Sequence, residues 1–336
     1  MTEDEIRLLH LSGQHLLSPA GCQNVSRDLC GVQAQFLTHA LHGLAIRSHG
    51  VSTDGMLKSW TLRGTMHLFV EEDLPLFLHE GRSHFLRPVD TMESDAYISK
   101  ERKAWFASLI VDAIGAGLDH REGLKALCAD AGMTDSECKS LFDPWGGIIR
   151  ALCESGRICH RVQEQKAYRL CPTFTPMEEL PARLELARRY FTNFGPATVL
   201  DAAHFFGKPQ SQVRSWLKAL PVMEMTSGGR TYFHITRTTE PDPGIPPCLF
   251  LAGFDQLMLG YEKTESLHLS PAYISQIFTR SGIVRPVLLL NGQAAGWWNL
   301  KNRKLTVTLF ASADQKMIAD TAVELWTDLK KVEFIL

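Results

Sequence analysis

Apolar residues near the N-terminus follow a helical spacing at first and a strand spacing afterwards. Between residues 6 and 17, and again between 36 and 45, they recur every three or four positions, which predicts amphipathic helices. Residues 57–70 partly alternate, which predicts strand structure with a turn or bulge at Gly64. Helices followed by a two-stranded ribbon are typical of a winged-helix unit.

The same order of elements recurs further along the chain. Residues 102–128 and 145–153 have helical spacing, and residues 159–171 alternate, which predicts a hairpin across Glu164-Gln165. A third unit is predicted to end in a hairpin with its turn at Ser227-Gly228-Gly229. Its helical segments are residues 182–194, 198–206 and 210–220. The sequence therefore predicts three helix–helix–ribbon units in series.

The C-terminal part of the chain has a different pattern. Four prolines between residues 241 and 247 mark a linker. Residues 284–290 and 294–300 are apolar runs joined by Asn291-Gly292, which predicts a tight hairpin. Residues 305–310 then alternate as a strand, and one helix is predicted over 314–329. This pattern predicts a small antiparallel sheet or barrel with one late helix.

These patterns predict an α+β fold. The four predicted segments are winged-helix units at 1–95, 96–178 and 179–240 and a β-barrel at 241–336. The chain has 336 residues, of which 45% are hydrophobic and 21% charged, as is typical of globular proteins. Apolar runs are too short to cross a membrane, and the acidic N-terminus does not resemble a signal peptide. We therefore expect a cytoplasmic protein that does not bind membranes.

Charge is distributed unevenly along the chain. The formal net charge is −2, but residues 1–149 carry −7, residues 150–304 carry +7 and residues 305–336 carry −2. Binding of nucleic acid depends on where the charge lies and not on the total. The middle of the chain can present a basic surface to phosphates. An ordinary solvated face explains the same charges.

Motifs of metal and nucleotide sites are absent from the sequence. None of the eight cysteines forms a C-x-x-C pair, and reduced thiols are the expected state. His39 and His42 lie three residues apart, a spacing more typical of surface and core positions of one helix than of metal ligands. The phosphate-loop, dinucleotide-binding, zinc-protease and serine-hydrolase motifs do not occur. We expect neither a metal nor an organic cofactor.

A short polar segment, Val32-Gln33-Ala34-Gln35-Phe36, leads into the second predicted helix. In an extended chain, residues two apart point to the same side, so the amides of Gln33 and Gln35 would converge on one small volume. Together they would offer two carbonyl acceptors and four N–H donors. A hydrogen-bonded pair at the start of the helix, or simple solvent exposure, accounts for the same spacing.

Several short stretches occur in a specific order along the chain. The first is Gln33-Ala34-Gln35, two glutamines around an aliphatic residue. The other stretches are Ala45-Ile46-Arg47, Trp60 to Leu68, Phe194-Gly195-Pro196-Ala197-Thr198, Phe254 to Tyr261, Gly282 to Val287, Asn291-Gly292-Gln293 and Gly296-Trp297-Trp298. In this order they resemble the winged-helix DNA glycosylases of the AlkZ/YcaQ type, and the resemblance spans nearly the whole chain.

The resemblance implies three tandem winged-helix units and a C-terminal β-barrel around a concave DNA channel. The family motif is either Q-x-Q or Q-x-D, and Gln35 places this chain with the Q-x-Q, AlkZ-like branch. That branch is associated with removal of bulky N7-alkylguanine adducts and with unhooking of DNA crosslinks. The expected partner is therefore double-stranded DNA carrying alkylated or crosslinked guanine, bound by a monomer.

The resemblance also implies roles for individual residues. Gln33 and Gln35 are expected to position the attacking water, which suits a cationic base that leaves as a neutral molecule. Asp255 is the candidate carboxylate, either supporting catalysis or capping a turn. Six basic residues are expected to contact DNA: Arg47, Arg63, His67, Lys301, Arg303 and Lys304. For Arg63 and His67, a surface salt bridge is the competing interpretation.

The main alternative function is a non-catalytic winged-helix DNA-binding protein. It would share the ribbons and the basic surface, but it would not need Gln33 and Gln35 to face an open cleft. A damage-binding protein without turnover is the third possibility, and an assay of base release separates it from a glycosylase.

Overall fold

Two compact units make up the computed structural model of the chain. One unit combines Met1–Ser52 with Leu184–Leu336, and the other is Thr53–Arg183. The first unit is therefore built from both ends of the chain. The structure describes residues 1–78, 98–143, 147–236 and 244–336. The predicted segment boundaries at 95 and 240 lie outside the described residues, and the boundary at 178 stays a prediction, as does the channel.

The N-terminal part of the first unit is helical. Helix α1 is Glu3–Gly13, and Thr2 and Glu5 close its first turn through a reciprocal capping box. Helix α2 is Cys22–Asp28, the two-residue strand β1 is Val32–Gln33, and helix α3 is Leu37–Ala45. The apolar face of each helix is buried, as the periodicity predicts.

A four-stranded arrangement in the order β3-β2-β4-β5 lies in the second unit. The strands are β2 Met56–Trp60, β3 Met66–Val70, β4 Ile158–His160 and β5 Tyr168–Leu170. A short helical turn, Leu62–Gly64, joins β2 to β3, with Gly64 at φ 66°. Both the turn at Gly64 and the hairpin across Glu164-Gln165 are confirmed.

The described ranges of the second unit also contain helices. They are α4 Leu74–Phe77, α5 Lys100–Gly115, α6 Arg121–Asp130, α7 Asp135–Leu141 and α8 Gly147–Glu154. The helix predicted over 102–128 is two helices, because Gly117 at φ 101° interrupts it after α5. Phe106 and Ile110 of α5 pack with Leu152 of α8 in the core of this unit.

The first unit resumes within helix α9, Glu179–Asn193, which contains the boundary between the two units. It continues with α10 Val199–Phe206, α11 Gln210–Leu217, β6 Met223–Ser227 and β7 Arg230–His234. The predicted hairpin is confirmed: Gly228 and Gly229 connect β6 and β7 at φ 55° and 76°, a conformation that favours glycine.

The C-terminal sheet has five strands in the order β12-β11-β10-β9-β8. They are β8 Cys248–Phe250, β9 Val287–Leu290, β10 Gln293–Lys301, β11 Lys304–Leu309 and β12 Lys331–Ile335. The turn at Asn291-Gly292 is confirmed, with φ 48° and 78°. Strands β11 and β12 are parallel, which departs from the predicted antiparallel sheet. Closure of this sheet into a barrel stays a prediction.

Three further helices accompany this sheet: α12 Gln256–Leu259, α13 Ile274–Ile277 and α14 Gln315–Leu325. The late helix predicted over 314–329 is thus confirmed, with Asp314 as its N-cap. In the described ranges, none of the helices has the length and apolar character that a membrane span requires.

Candidate active site

The segment that carries the two glutamines begins with a sharp reversal of the chain. Cys30 and Gly31 both have positive φ, at 56° and 86°, so the chain turns abruptly between α2 and β1. Gln33 lies in β1, and Phe36 keeps extended backbone angles as the N-cap of α3. The segment is thus extended at both ends, as predicted, with a bend at Gln35 and Phe36.

The two glutamines differ in exposure. Gln33 is 6% exposed and lies between the buried Val32 and Ala34, whereas Gln35 is exposed. The spacing of the two glutamines in an extended segment also predicts that both amides are at least partly exposed, and this prediction is wrong for Gln33. The physical reason is that β1 ends at Gln33 and the chain bends at Gln35, so the alternation of an extended strand does not continue.

A small recess lies beside Gln33. It is lined in part by Gln33, His39, Arg47, Asp255 and Gln256. It offers about 10 Å³ to the centre of a water molecule, which is the space one water needs. The recess thus brings a residue of the glutamine motif together with residues more than 200 positions away in the sequence.

Arg47 and Asp255 form a buried ion pair at the recess. Both guanidinium nitrogens Nη1 and Nη2 donate to the carboxylate, at 2.9 and 2.7 Å. Arg47 also donates to the backbone carbonyls of Gln14 and Gly43, each at 3.0 Å. Its donors are thus directed to protein acceptors within the fold.

The structure argues against the predicted contact of Arg47 with DNA. The side chain is only 1% exposed, so it cannot reach a phosphate in this conformation. Helix α3 also ends at Ala45, so Arg47 lies just beyond the helix. Residues 46 and 47 form a turn, and the Arg47 guanidinium lies within the fold against Asp255.

Asp255 caps a turn, which is one of its two predicted roles. Its Oδ1 accepts from the backbone N–H of Leu257 at 2.9 Å, at the start of α12. Since the carboxylate also receives two bonds from Arg47, its negative charge is neutralised inside the fold. Direct support of the reaction by Asp255 stays a prediction.

Gln256 is a second glutamine at the recess, beside Gln33, and its sequence context predicts no role for it. Its Nε2 donates to the carbonyl of Gly31 at 2.8 Å, which fixes the orientation of the amide. Its Oε1 is buried and has no hydrogen-bond partner in the described part of the chain. The recess therefore contains a buried acceptor that a water molecule could satisfy.

His39 also lines the recess and was considered from the sequence only as a helix residue. Its ring meets Phe36 edge-on, with ring centroids 6.1 Å apart. Burial lowers the pKa of His39 below its usual 6.5, so the imidazole is neutral at pH 7. The Nε2–H of His42 donates to the Phe250 carbonyl, 2.8 Å away, and His42 thus has a structural contact.

Arg63 and His67 lie in the second unit, around the turn between β2 and β3. His67 is buried, and its Nδ1 lies 3.1 Å from the Thr65 carbonyl and 2.9 Å from the Thr61 hydroxyl. Burial, with a smaller contribution from Arg63, lowers the pKa of His67 to about 3. A buried neutral ring is a poor phosphate ligand, which argues against the predicted DNA contact of His67. Contact of the half-buried Arg63 with DNA stays a prediction.

The basic turn between β10 and β11 is exposed, as a phosphate contact requires. Two of its cations are already paired: Arg303 with Asp328 at 2.9 Å, and Lys304 with Glu333 at 2.6 Å. For Lys301 the described residues provide no ion pair. The DNA contacts of these three residues stay predictions.

Comparison with known proteins supports the sequence resemblance. Residues 26–332 match the model of a family described as DNA glycosylase AlkZ-like. An interstrand DNA cross-link repair glycosylase of Streptomyces sahachiroi is 25% identical over 332 residues, covering 88% of this chain and 86% of that protein. The solved structure of the Streptomyces sahachiroi DNA glycosylase AlkZ has a TM-score of 0.77 at 19% identity and covers 100% of both chains. The family resemblance and the mixed α and β fold are confirmed.

Proposed function

Since the chain belongs to the family of AlkZ-like DNA glycosylases, we propose that it hydrolyses the N-glycosidic bond of N7-alkylguanine in double-stranded DNA. The observation that carries this proposal is the water-sized recess at Gln33, two residues before the exposed Gln35. The amide of Gln33 therefore lies at a position for water, and the amide of Gln35 is accessible to a substrate.

The chemistry suits two glutamines. Alkylation at N7 gives guanine a positive charge, and the base leaves with the bonding electron pair as a neutral molecule. No general acid is needed to assist its departure. The enzyme must place a water below C1′ and stabilise a sugar with oxocarbenium character. Amide carbonyls accept hydrogen bonds from water and can thus direct its oxygen toward C1′.

The two glutamines have separate roles in this proposal. Gln33 is held in β1 at the recess, where it keeps the water in place. Gln35 is exposed at the bend before α3, where it can meet the sugar or the water once DNA is bound. Positioning of a reactant in this way is worth up to roughly 7–11 kcal/mol of the barrier.

The proposal extends to crosslinked DNA. The curated relative is named for interstrand cross-link repair, and the reaction at each linked N7-alkylguanine is the same as at a monoadduct. We therefore include unhooking of interstrand crosslinks in the function. We propose that the protein acts as a monomer. It needs neither a metal nor an organic cofactor, because an alkylated base that is already cationic leaves without help from a Lewis acid.

DNA is held through its phosphates by exposed basic residues. Lys301, Arg303 and Lys304 form one such group at the turn between β10 and β11, and Arg63 lies at the turn between β2 and β3. Phosphate contacts give affinity and orientation, and they make binding sensitive to salt.

The function is tested by base release. Duplex DNA carrying N7-methylguanine is incubated with the protein, and the free base is quantified by chromatography and mass spectrometry. A duplex with an N7-guanine interstrand crosslink is followed in parallel on a denaturing gel. We expect release of N7-methylguanine and separation of the crosslinked strands. Binding of both substrates without release of either would identify a non-catalytic damage-binding protein instead.

A further inference from the structure

Hydrolysis of the glycosidic bond releases a proton that the glutamine pair cannot accept. The water oxygen forms a bond to C1′, the C1′–N9 bond breaks, and its electron pair neutralises the departing base. One O–H bond of the water must therefore also break. Glutamine has acceptor and donor atoms but is not a base at neutral pH, so another group has to receive this proton.

We propose that His39 accepts the proton from the attacking water and that Gln256 holds this water in the recess beside Gln33. The inference rests on the proposed glycosylase function and adds two residues to its site. Both residues line the recess with Gln33.

The size of the recess and the state of Gln256 indicate a site for a single water. The recess has room for the centre of one water molecule. Gln256 is 2% exposed, and the bond from its Nε2 to Gly31 leaves Oε1 as a buried acceptor without a partner. Leaving a buried acceptor unsatisfied is unfavourable, so a hydrogen-bond donor in the recess is strongly favoured.

The backbone opposite His39 leaves space for its ring. A Cβ atom on Gly253 would lie 2.9 Å from Nε2 and from Cδ2 of the imidazole, which is closer than real contacts allow. Phe36 flanks the ring edge-on. Glycine at 253 therefore allows His39 to occupy the recess, and Phe36 restricts its movement.

The electrostatic surroundings keep His39 able to accept a proton. Arg47 and Asp255 are the charged groups that line the same recess, and they neutralise each other. His42, one turn along α3, is also kept neutral by burial, which lowers its pKa. The lowered pKa of His39 means that the neutral form, which has a free ring nitrogen, prevails above about pH 6.5.

The step balances in atoms and charge. The water oxygen bonds to C1′ while one of its protons moves to a ring nitrogen of His39. The guanine leaves as a neutral base, so the positive charge of the alkylated nucleotide is transferred to the imidazole. His39 then releases the proton to solvent. The products are the free base, the abasic sugar and one proton.

A purely structural role of His39 predicts a different pH dependence. If the ring only fills the space next to Gly253, its replacement lowers the rate by the same factor at every pH. If the ring accepts the proton, the wild-type rate falls about tenfold per pH unit below the pKa of His39, and a variant without the imidazole lacks this decline.

The experiment is single-turnover release of N7-methylguanine at saturating protein, measured from about pH 4 to pH 8 because burial lowers the pKa of His39, and corrected for spontaneous release. It compares wild type, His39→Gln and His39→Asn with His49→Gln, a control at an exposed histidine of the same unit that does not line the recess. We expect His39→Gln to be about 10²-fold slower at pH 7.5 and independent of pH, and the control to match wild type.

Gln256 is tested in the same assay with Gln256→Met, which keeps the length of the side chain and removes the acceptor. We expect at least a tenfold slower release at pH 7.5 with the acid decline still present. An undiminished rate would overturn the role of Gln256. Circular dichroism and thermal melting show which variants are folded.

The outcomes separate this inference from the function itself. If the rate of base release by wild type does not decline in acid, the role of His39 is overturned, and this test needs no variant. The glycosylase function then stands. An acid decline that persists in His39→Gln or His39→Asn overturns it as well. Absence of base release from wild type at every pH contradicts the proposed function.

Discussion

Arg47 and Asp255 lie 208 residues apart in the sequence and form a two-bond ion pair in which each side chain is 1% exposed. The pair ties the end of the α3 segment to the start of α12, where the Asp255 carboxylate also caps the helix. Because both side chains line the recess at Gln33, the pair sets the position of the recess walls.

Removing one partner of this pair should destabilise the protein strongly. Arg47→Met leaves the Asp255 carboxylate buried without its counter-charge, a change that costs about 3–5 kcal/mol. We expect the melting temperature to fall by roughly 6–20 °C for a unit of this size. Arg303→Met, at an exposed pair, is the matched control and should change it by no more than about 2 °C.

A double variant shows whether the loss of stability comes from an unpaired buried charge or from two independent side-chain contributions. If Arg47→Met acts by leaving a buried charge unpaired, Arg47→Met with Asp255→Leu should recover part of the lost stability. Additive losses measured by thermal melting would show that the two side chains stabilise the fold independently.

The salt dependence of DNA binding should show which basic side chain at the turn between β10 and β11 contacts a phosphate. Lys301 has no ion pair in the described ranges, whereas Arg303 and Lys304 are paired with acidic side chains. We expect Lys301→Gln to weaken binding and to reduce the slope of log Kd against log salt by about one unit. Single-turnover release at saturating protein should stay near normal.

The control for this prediction is Lys316→Gln, a surface lysine on α14 paired with Asp320. It should leave the slope unchanged, as measured by fluorescence anisotropy at several salt concentrations. An equal reduction by both variants would point to an effect of net charge and not to a contact at the turn.

His67 should make the stability of the second unit sensitive to acid. Its pKa is about 3 in the folded protein and about 6.5 when unfolded, so the unfolded state binds the extra proton first. Stability from His67 is present above pH 6.5 and is lost as the pH falls toward 3. The slope is at most about 1.4 kcal/mol per pH unit.

Urea unfolding of wild type and His67→Gln between about pH 7.5 and pH 4.5 measures this effect. The variant is expected to be less stable at neutral pH, and the difference should shrink as the pH falls below 6.5. A difference that does not change with pH would show that His67 is not buried in its neutral form.

The local structure was largely predictable from the sequence. The turns at Asn291-Gly292 and Gly228-Gly229 require positive φ, which few residues adopt, so the residues themselves identify the hairpins. The helices followed from apolar spacing. The break at Gly117 was missed, because Gly115 and Gly117 leave the spacing of the apolar residues on either side almost unchanged.

The site was predictable only where it is local. Gln33 and Gln35 stand close together in the sequence, whereas Asp255 and Gln256 reach the recess through folding of the two chain ends into one unit. Arginine is a residue type that often contacts DNA, and nothing near Arg47 in the sequence shows that its partner is Asp255. Tertiary pairing over such distances is not encoded in spacing or periodicity.

The central claim, that the exposed amide of the glutamine motif acts in hydrolysis, is tested most directly at Gln35. Because Gln35 is exposed, its replacement by alanine disturbs the fold less than that of the buried Gln33. The measurement is single-turnover release of N7-methylguanine by wild type, Gln35→Ala and the control Gln210→Ala, an exposed glutamine on α11. The account predicts that Gln35→Ala is at least about 10²-fold slower while its DNA affinity and the activity of the control change little. Undiminished release by folded Gln35→Ala would contradict the proposed mechanism.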